Sequence, residues 1–215
     1  MLSLFALQTI LNRLGHDSFL IKYRRIPSGR NRKLLVKLNS IYLLRIFVGS
    51  ILRLIRKEAN TNDEKRKFDA FKKEHIVFGN YEYLNFNDLK NNPPVADVYV
   101  VGSDQVWNNN FKVSAEAFLL GFGVEKVKRV AYAASFGEKI LSEDTKQLFQ
   151  KYIHNFDSIS VREQSGLDIC SSLNVSNPQW VLDPTLLFSK EDWSKMLGLQ
   201  DGVKNDKSIF IYTLG

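Results

Sequence analysis

The stretch VADVYVVGSDQVWN, residues 95–108, decides how the rest of the chain is read. An apolar run, Val95–Val101, begins directly after Pro93 and Pro94 and stops at Gly102. A short, nearly continuous apolar run is the profile of a buried strand in a parallel sheet, where both faces are covered. Ligands of open α/β sheets sit beyond the carboxyl ends of the strands. Gly102, Ser103, Asp104 and Gln105 are therefore candidate site residues by position alone, and Trp107 is placed to wall a pocket.

The same pattern recurs downstream. Arg129–Ala134 (RVAYAA) reads as a strand followed by Ser135, Phe136 and Gly137, with a helix expected over 143–153. Ser158–Val161 is a third strand, running into Arg162 and Glu163 and a helix that ends near Leu173. Trp180–Leu182 is a fourth, ending in Asp183, Pro184 and Thr185, and Ser189 with Asp192 has the spacing of a capping box. Ser208–Leu214 (SIFIYTL) reads as one more strand. Upstream, residues 62–74 read as a charged helix with Phe68 and Phe71 facing inward. Leu4, Leu7, Leu11 and Leu14 recur at helical spacing before Gly15, and a strand follows at Phe19–Tyr23. Repeated strand, loop and helix units of this length predict an α/β protein with a Rossmann-like, doubly wound, mostly parallel sheet.

Composition narrows the function classes. With 215 residues, 44% hydrophobic and 12% aromatic, the chain can bury a substantial core, which argues against disorder. A single cysteine, Cys170, forms no intramolecular disulfide and fits a reducing cytoplasm, and no Cys/His cluster at metal spacing accompanies it. His16, His75 and His154 are widely separated, so chemistry must rest on Arg, Asp, Ser and backbone groups, with no metal expected. The net charge of +7 divides into +10 over residues 1–60 and −3 over the remainder. No groove-reading or base-stacking signature accompanies the basic quarter, so nucleic acid is not an expected partner.

The basic quarter holds an apolar stretch at 34–56 whose longest uncharged runs, Leu38–Leu44 and Ile46–Leu52, are 7 residues each. A spanning helix needs about 20 apolar residues, so this segment does not cross a membrane, and the N-terminus lacks the features of a signal peptide. On a helical wheel, Leu44, Phe47, Val48, Ile51, Leu54 and Ile55 fall opposite Arg45, Arg53, Arg56 and Lys57, with Ile46 the exception. Residues 41–57 therefore read either as a helix packed on the domain with its charged face in water, the commoner case, or as a peripheral helix resting on anionic lipid.

Each loop after a strand also has a local reading, because Asp, Ser and Pro favour turns and caps for their own hydrogen-bonding reasons. Arg162 is different in kind. A guanidinium placed directly after a buried strand needs Glu163, another acid or an anionic ligand to be satisfied, and Asp104 reads as the matching acid.

Taken together, DVYVVGSDQVWN (Asp97–Asn108), FLLGFG (Phe118–Gly123), RVAYAASFG (Arg129–Gly137), FDSISVREQSG (Phe156–Gly166) and VLDPTLLF (Val181–Phe188) resemble, in order and spacing, the polysaccharide pyruvyl transferase family. The resemblance extends upstream through Phe68–Phe71 and the helix Phe5–Gly15, nearly the whole chain. It implies the N-terminal half of a two-domain architecture similar to GT-B glycosyltransferases. The activity it implies is transfer of a pyruvyl group from phosphoenolpyruvate to two sugar hydroxyls as a ketal, in bacterial exopolysaccharide or cell-wall biosynthesis. It further implies a cytoplasmic location at the inner face of the membrane, a saccharide or lipid-linked saccharide acceptor, and no cofactor beyond phosphoenolpyruvate as donor substrate. Carried over residue by residue, Asp104 and Arg162 become the catalytic candidates, Arg162 contacting donor phosphate or carboxylate and Asp104 contacting acceptor hydroxyls. Gly102, Ser103, Gln105, Trp107, Ser135, Gly137, Asp183 and Thr185 become substrate-binding candidates lining a cleft.

The chain departs from the family pattern at both ends. The strand and glycine-containing loop usual before the first helix are missing, and Ser208–Gly215 resembles the opening strand of a C-terminal domain that is otherwise absent. Residues 1–207 are thus expected to form the N-terminal domain, including a basic helical segment at about 33–58, and 208–215 to begin the missing one. The missing half would hold much of the donor, so the resemblance also implies a chain incomplete as it stands, completed by further sequence or a partner chain. Two alternatives stand beside this: a non-catalytic remnant or binding module of the same fold, and a glycosyltransferase half-domain using a nucleotide sugar.

Overall fold

The computed structural model describes residues 1–24, 67–108 and 115–199. The segment 41–57 and the strand expected at 208–214 lie outside the described residues.

Four short strands form the central sheet: β3 (Val98–Val101), β4 (Lys128–Ala134), β5 (Ser158–Val161) and β6 (Gln179–Trp180). They lie in chain order and every neighbouring pair is parallel. Parallel neighbours require crossovers, and these carry α4 (Ala115–Phe118), α5 (Glu143–Gln150) and α6 (Gln164–Ser172). A smaller parallel pair joins β1 (Leu20–Tyr23) to β2 (Phe78–Tyr83). The remaining described helices are α1 (Leu2–Arg13), α2 (67–75), α3 (Phe86–Asn91) and α7 (Lys190–Met196). This is an α/β protein with parallel sheets and a Rossmann-like fold.

The core lies where the sheet meets its crossover helices. Tyr99, Val101, Ala131, Ile159 and Val161 pack with Phe149, Ile153, Ile169, Cys170 and Leu173. Burial pushes the Cys170 thiol up to about 12, so it stays protonated and serves as a small apolar residue. Arg129 of β4 is buried, 7% exposed. Its guanidinium donates to the carbonyls of Leu120, Phe122, Val124 and Val127 at 2.9–3.2 Å, so the loop before β4 wraps around one cation.

β2 escapes sequence reading because FGNYEY carries no clean alternation; its place is fixed from outside. The buried Gln8 amide of α1 donates to the carbonyls of Ser18 and Val77 and accepts from the Val77 N–H at 2.9 Å, holding both strand entrances to the helix. α1 ends before Gly15, whose φ of 89° suits glycine. Of its leucine stripe, Leu7 is buried but Leu14 is 69% exposed; Phe5, Ala6 and Gln8 complete the inward face.

Several boundaries differ from expectation for identifiable reasons. Val95 is 96% exposed, and β3 begins only at Val98. The Tyr99 hydroxyl donates to the Pro94 carbonyl at 2.6 Å, so the preceding segment folds over that ring instead of extending the ladder. In α2, Phe71 stacks edge-on against Phe5 at 5.6 Å, whereas Phe68 is exposed and does not face inward. α5 ends at Gln150, short of Ile153, which belongs to a separate tight turn. The capping box is present: Ser189 Oγ accepts from the Asp192 N–H, and Asp192 Oδ2 accepts from the Ser189 N–H.

Candidate functional site at the carboxyl edge of the sheet

A bulge in β4 shapes this edge. Ala131 pairs with Ile159 and Ala134 with Val161, so β4 carries one residue more than β5 over the interval. Ala133 absorbs it with a φ of 51°, a left-handed conformation uncommon for a residue with a Cβ. The Ser160 hydroxyl fills the gap in the ladder, accepting from the Ala133 N–H and donating to the Ala131 carbonyl, both at 3.0 Å. The shift lets Ala134 bridge to Asp104 on one side and accept the Arg162 N–H on the other at 3.2 Å, which draws three loops together.

Those loops deliver one polar cluster. Arg162 Nε donates to Glu163 Oε1 at 3.0 Å, and Nη1 donates to Asp183 Oδ2 at 3.3 Å and to Ser103 Oγ at 3.4 Å. Ser103 Oγ donates in a short bond to Asp183 Oδ2. The other Asp183 oxygen accepts from the Thr185 N–H at 2.9 Å and the Thr185 hydroxyl at 2.7 Å. Ser103, Arg162, Asp183 and Thr185, chosen separately after three different strands, thus meet.

Electrostatics follow from this arrangement. Partial burial works against the Asp183 charge, but donors from Ser103, Thr185 and Arg162 outweigh it and hold the carboxyl below its ordinary value. Partial burial likewise opposes the Arg162 charge, and Glu163 and Asp183 more than compensate, so its pKa stands raised. Asp183 is consequently an ionised carboxylate with two donors on each oxygen, a poor proton acceptor. A nucleophile-and-base reading of Ser103 and Asp183 is chemically unfavourable for that reason.

Asp104 is not the acid that meets Arg162; Asp183 and Glu163 fill that role. Asp104 is exposed with a φ of 95°, and its Oδ1 accepts from the Gln105 N–H at 2.8 Å, a local turn bond; its second oxygen has no partner among the described residues. Its carbonyl accepts from the Val106 and Ser135 N–H groups at 2.8 and 3.1 Å. Gln105 accepts from the Asn108 amide at 2.9 Å, and this pair lies directly over Gly137, whose positive φ and crowded Cβ direction leave no room for a side chain. Ser135 is buried and its hydroxyl accepts from the Gly137 N–H at 3.2 Å, so it shapes the turn beneath the site. Gly102 lets Leu7 of α1 approach the end of β3.

Trp107 walls no pocket. It is 2% exposed, sits among Phe136, Phe149 and Phe156, and its indole N–H donates to the Phe118 carbonyl at 3.1 Å. A large aromatic ring after a loop is equally compatible with cleft and core, and here the buried side offered both rings and an acceptor. Tyr132, unmarked in the sequence reading, reaches the same edge: its hydroxyl donates to the Leu182 carbonyl at 3.4 Å, adjacent to Asp183. Alternation along β4 was the signal that could have found it. Among the described residues no group of three His, Cys, Asp or Glu side chains is placed to hold a metal ion.

A parallel α/β sheet with polar loops gathered at its carboxyl edge defines a Rossmann-like protein, a class in which ligands sit beyond the strand ends. The family model for polysaccharide pyruvyl transferase matches residues 1–212, and the chain belongs to that family. No curated protein and no solved structure matches it. Membership makes it a member of a transferase family that acts on polysaccharide. Among the described residues no helix is long and apolar enough to cross a membrane.

Proposed function

We propose that this chain supplies the acceptor-side half of an enzyme that moves a pyruvyl group from phosphoenolpyruvate onto two hydroxyls of a saccharide, releasing phosphate and leaving a ketal. The observation that carries the reading is the Arg162 guanidinium, fixed at the carboxyl edge through Nε and Nη1 while Nη2 has no partner among the described residues.

In the balanced reaction, the methylene carbon of the donor gains a proton and becomes a methyl group. Its neighbouring carbon, oxocarbenium-like, forms bonds to both sugar oxygens, and the bond to the phosphate oxygen breaks. Of the two hydroxyl protons displaced, one balances the proton on carbon and the other leaves with phosphate. Nη2 of Arg162 is the group suited to an anionic oxygen of the donor, and the second carboxylate oxygen of Asp104 is suited to accept from an acceptor hydroxyl. Because Glu163 and Asp183 already offset the charge of Arg162, a donor bearing both carboxylate and phosphate needs further cations. Those are assigned to the C-terminal half implied by the family pattern, carried by further sequence or by a partner chain. A cytoplasmic setting at the inner membrane face, with a saccharide or lipid-linked saccharide acceptor, is part of the same proposal.

The test is phosphate release from phosphoenolpyruvate, measured for this chain joined to the sequence encoded around it and supplied with a saccharide acceptor. Release that requires both substrates and falls about tenfold or more in Arg162→Ala supports the reading, tenfold corresponding to loss of one charge-assisted contact. Activity within a few-fold of the parent removes Arg162 from the donor site. Binding of a nucleotide sugar in preference to phosphoenolpyruvate would replace the reaction class.

A further inference from the structure

We infer that Asp183 is a positioning residue, whose carboxylate clamps the Arg162 guanidinium in one orientation so that its Nη2 amine is the face turned to an anionic ligand. Four observations place it in that role. Asp183 comes from the loop after β6 and Arg162 from the loop after β5, so the contact ties two strand ends together. Asp183 is the more enclosed partner, its side chain 14% exposed against 29% for Arg162.

Its acceptor capacity is fully committed, Oδ1 to Thr185 and Oδ2 to Ser103 and Arg162. A carboxylate filled in this way has no lone pair positioned for substrate and takes no proton at neutral pH, so its effect reaches substrate only through the group it holds. Finally, Ser103 both donates to Asp183 and accepts from Arg162 Nη1, closing a three-membered ring of bonds that fixes the Nη1 edge. Glu163 holds Nε at 3.0 Å. A guanidinium pinned at Nε and Nη1 loses little further rotamer freedom when Nη2 meets an anion, which is how a preorganised fork gains affinity.

This inference deepens the proposed donor contact and rests on it for the identity of the anion, but the clamp itself is measurable without activity. The experiment is nuclear magnetic resonance of the guanidinium groups in arginine-labelled protein, with the Arg162 signals assigned by their disappearance in Arg162→Lys. In the parent protein, Arg162 should show separate, slowly exchanging Nη signals from hindered rotation. Asp183→Asn should collapse them to the averaged position of an exposed arginine, and Ser103→Ala should accelerate the exchange to a lesser degree. Amide spectra of each variant report whether the fold persists, and Ser103→Ala carries the test should Asp183→Asn unfold.

Titration with phosphoenolpyruvate of the same variants, each joined to the sequence encoded around the chain, separates the two readings. Perturbation of the Arg162 signals in the parent, with affinity weakened about tenfold in Asp183→Asn, supports both. Collapse in Asp183→Asn with no response of the parent to phosphoenolpyruvate overturns the donor contact and leaves the clamp standing. Unchanged Arg162 signals in folded Asp183→Asn overturn the clamp.

Discussion

Replacing Asp104 by glycine and by alanine separates backbone strain from chemistry at the edge of the site. Asp104 holds a φ of 95°, and its carbonyl is anchored there by the N–H groups of Val106 and Ser135. A residue with a Cβ in left-handed space costs about 1–2 kcal/mol, and the local bond from Asp104 Oδ1 to the Gln105 N–H contributes about 0.5–1.5 kcal/mol in return. Asp104→Ala keeps the strained Cβ and loses that bond, so it should destabilise the protein by about 1 kcal/mol. Asp104→Gly loses the same bond and relieves the strain, against about 0.5–1 kcal/mol of extra chain entropy. The glycine variant should therefore exceed the alanine variant by about 0.5–1 kcal/mol, roughly 1–4 °C in Tm for a chain of this size. Urea and thermal unfolding of the two variants side by side measure the difference. An alanine variant as stable as the glycine variant, or more so, would refute the claim that the loop holds this residue at positive φ. Phosphate release should fall alike in both, since both lack the carboxylate; full activity in Asp104→Gly would remove Asp104 from acceptor binding.

Other consequences are as direct. Trp107→Ala should cost about 3–5 kcal/mol in stability, the range for emptying a large buried aromatic site, and a loss confined to substrate affinity at full stability would return Trp107 to the cleft. Arg129→Met strips four carbonyls of their donor and should lower the urea midpoint by at least as much as loss of a single charged hydrogen bond, about 1.5–3 kcal/mol; an unchanged midpoint would show that the loop before β4 does not depend on it. Asp183 has a lowered folded pKa, so its stabilising contribution is full above the unfolded carboxylate value of about 3.9 and disappears as pH falls through the folded value. The stability gap between the parent and Asp183→Asn should accordingly be flat near neutrality and close in acid, and parallel curves down to pH 3 would contradict the assignment. For residues 41–57, the lipid reading predicts co-sedimentation with anionic vesicles that weakens with salt, whereas the packed-helix reading predicts none at any salt concentration.

Much of the architecture was legible because its signals are local. Strands ending in Val101 and Ala134 announce themselves as apolar runs of a few residues before a turn, and Ser158–Val161 as a short alternating segment before Arg162, whereas the fourth strand, expected over Trp180–Leu182, is Gln179–Trp180 and ends two residues earlier. The box at Ser189 and Asp192 spans a single helical turn, and Gly15 marks a helix end by the φ it alone tolerates easily. Position after a strand was enough to select Ser103, Arg162, Asp183 and Thr185. The resemblance read from five short segments in order and spacing names the same family as the model that matches residues 1–212.

What the strand-end rule could not supply was pairing. Asp183, 21 residues from Arg162, meets its guanidinium, while Asp104 turns its carboxylate to its own loop. That choice depends on the register between β4 and β5, where the extra residue at Ala133 shifts every later group relative to its neighbour. Trp107 went to the core because Phe136, Phe149 and the Phe118 carbonyl converge there, three partners from separate segments that no local pattern relates. Gln8 and β2 belong together for a similar reason: an amide on the first helix reaches Val77, 69 residues away. Periodicity, capping and turn chemistry act over one turn or one strand and are written in adjacent residues. Which charge satisfies which, and which ring is buried, follows from side chains brought together by strand register, and that is settled only when the chain is folded.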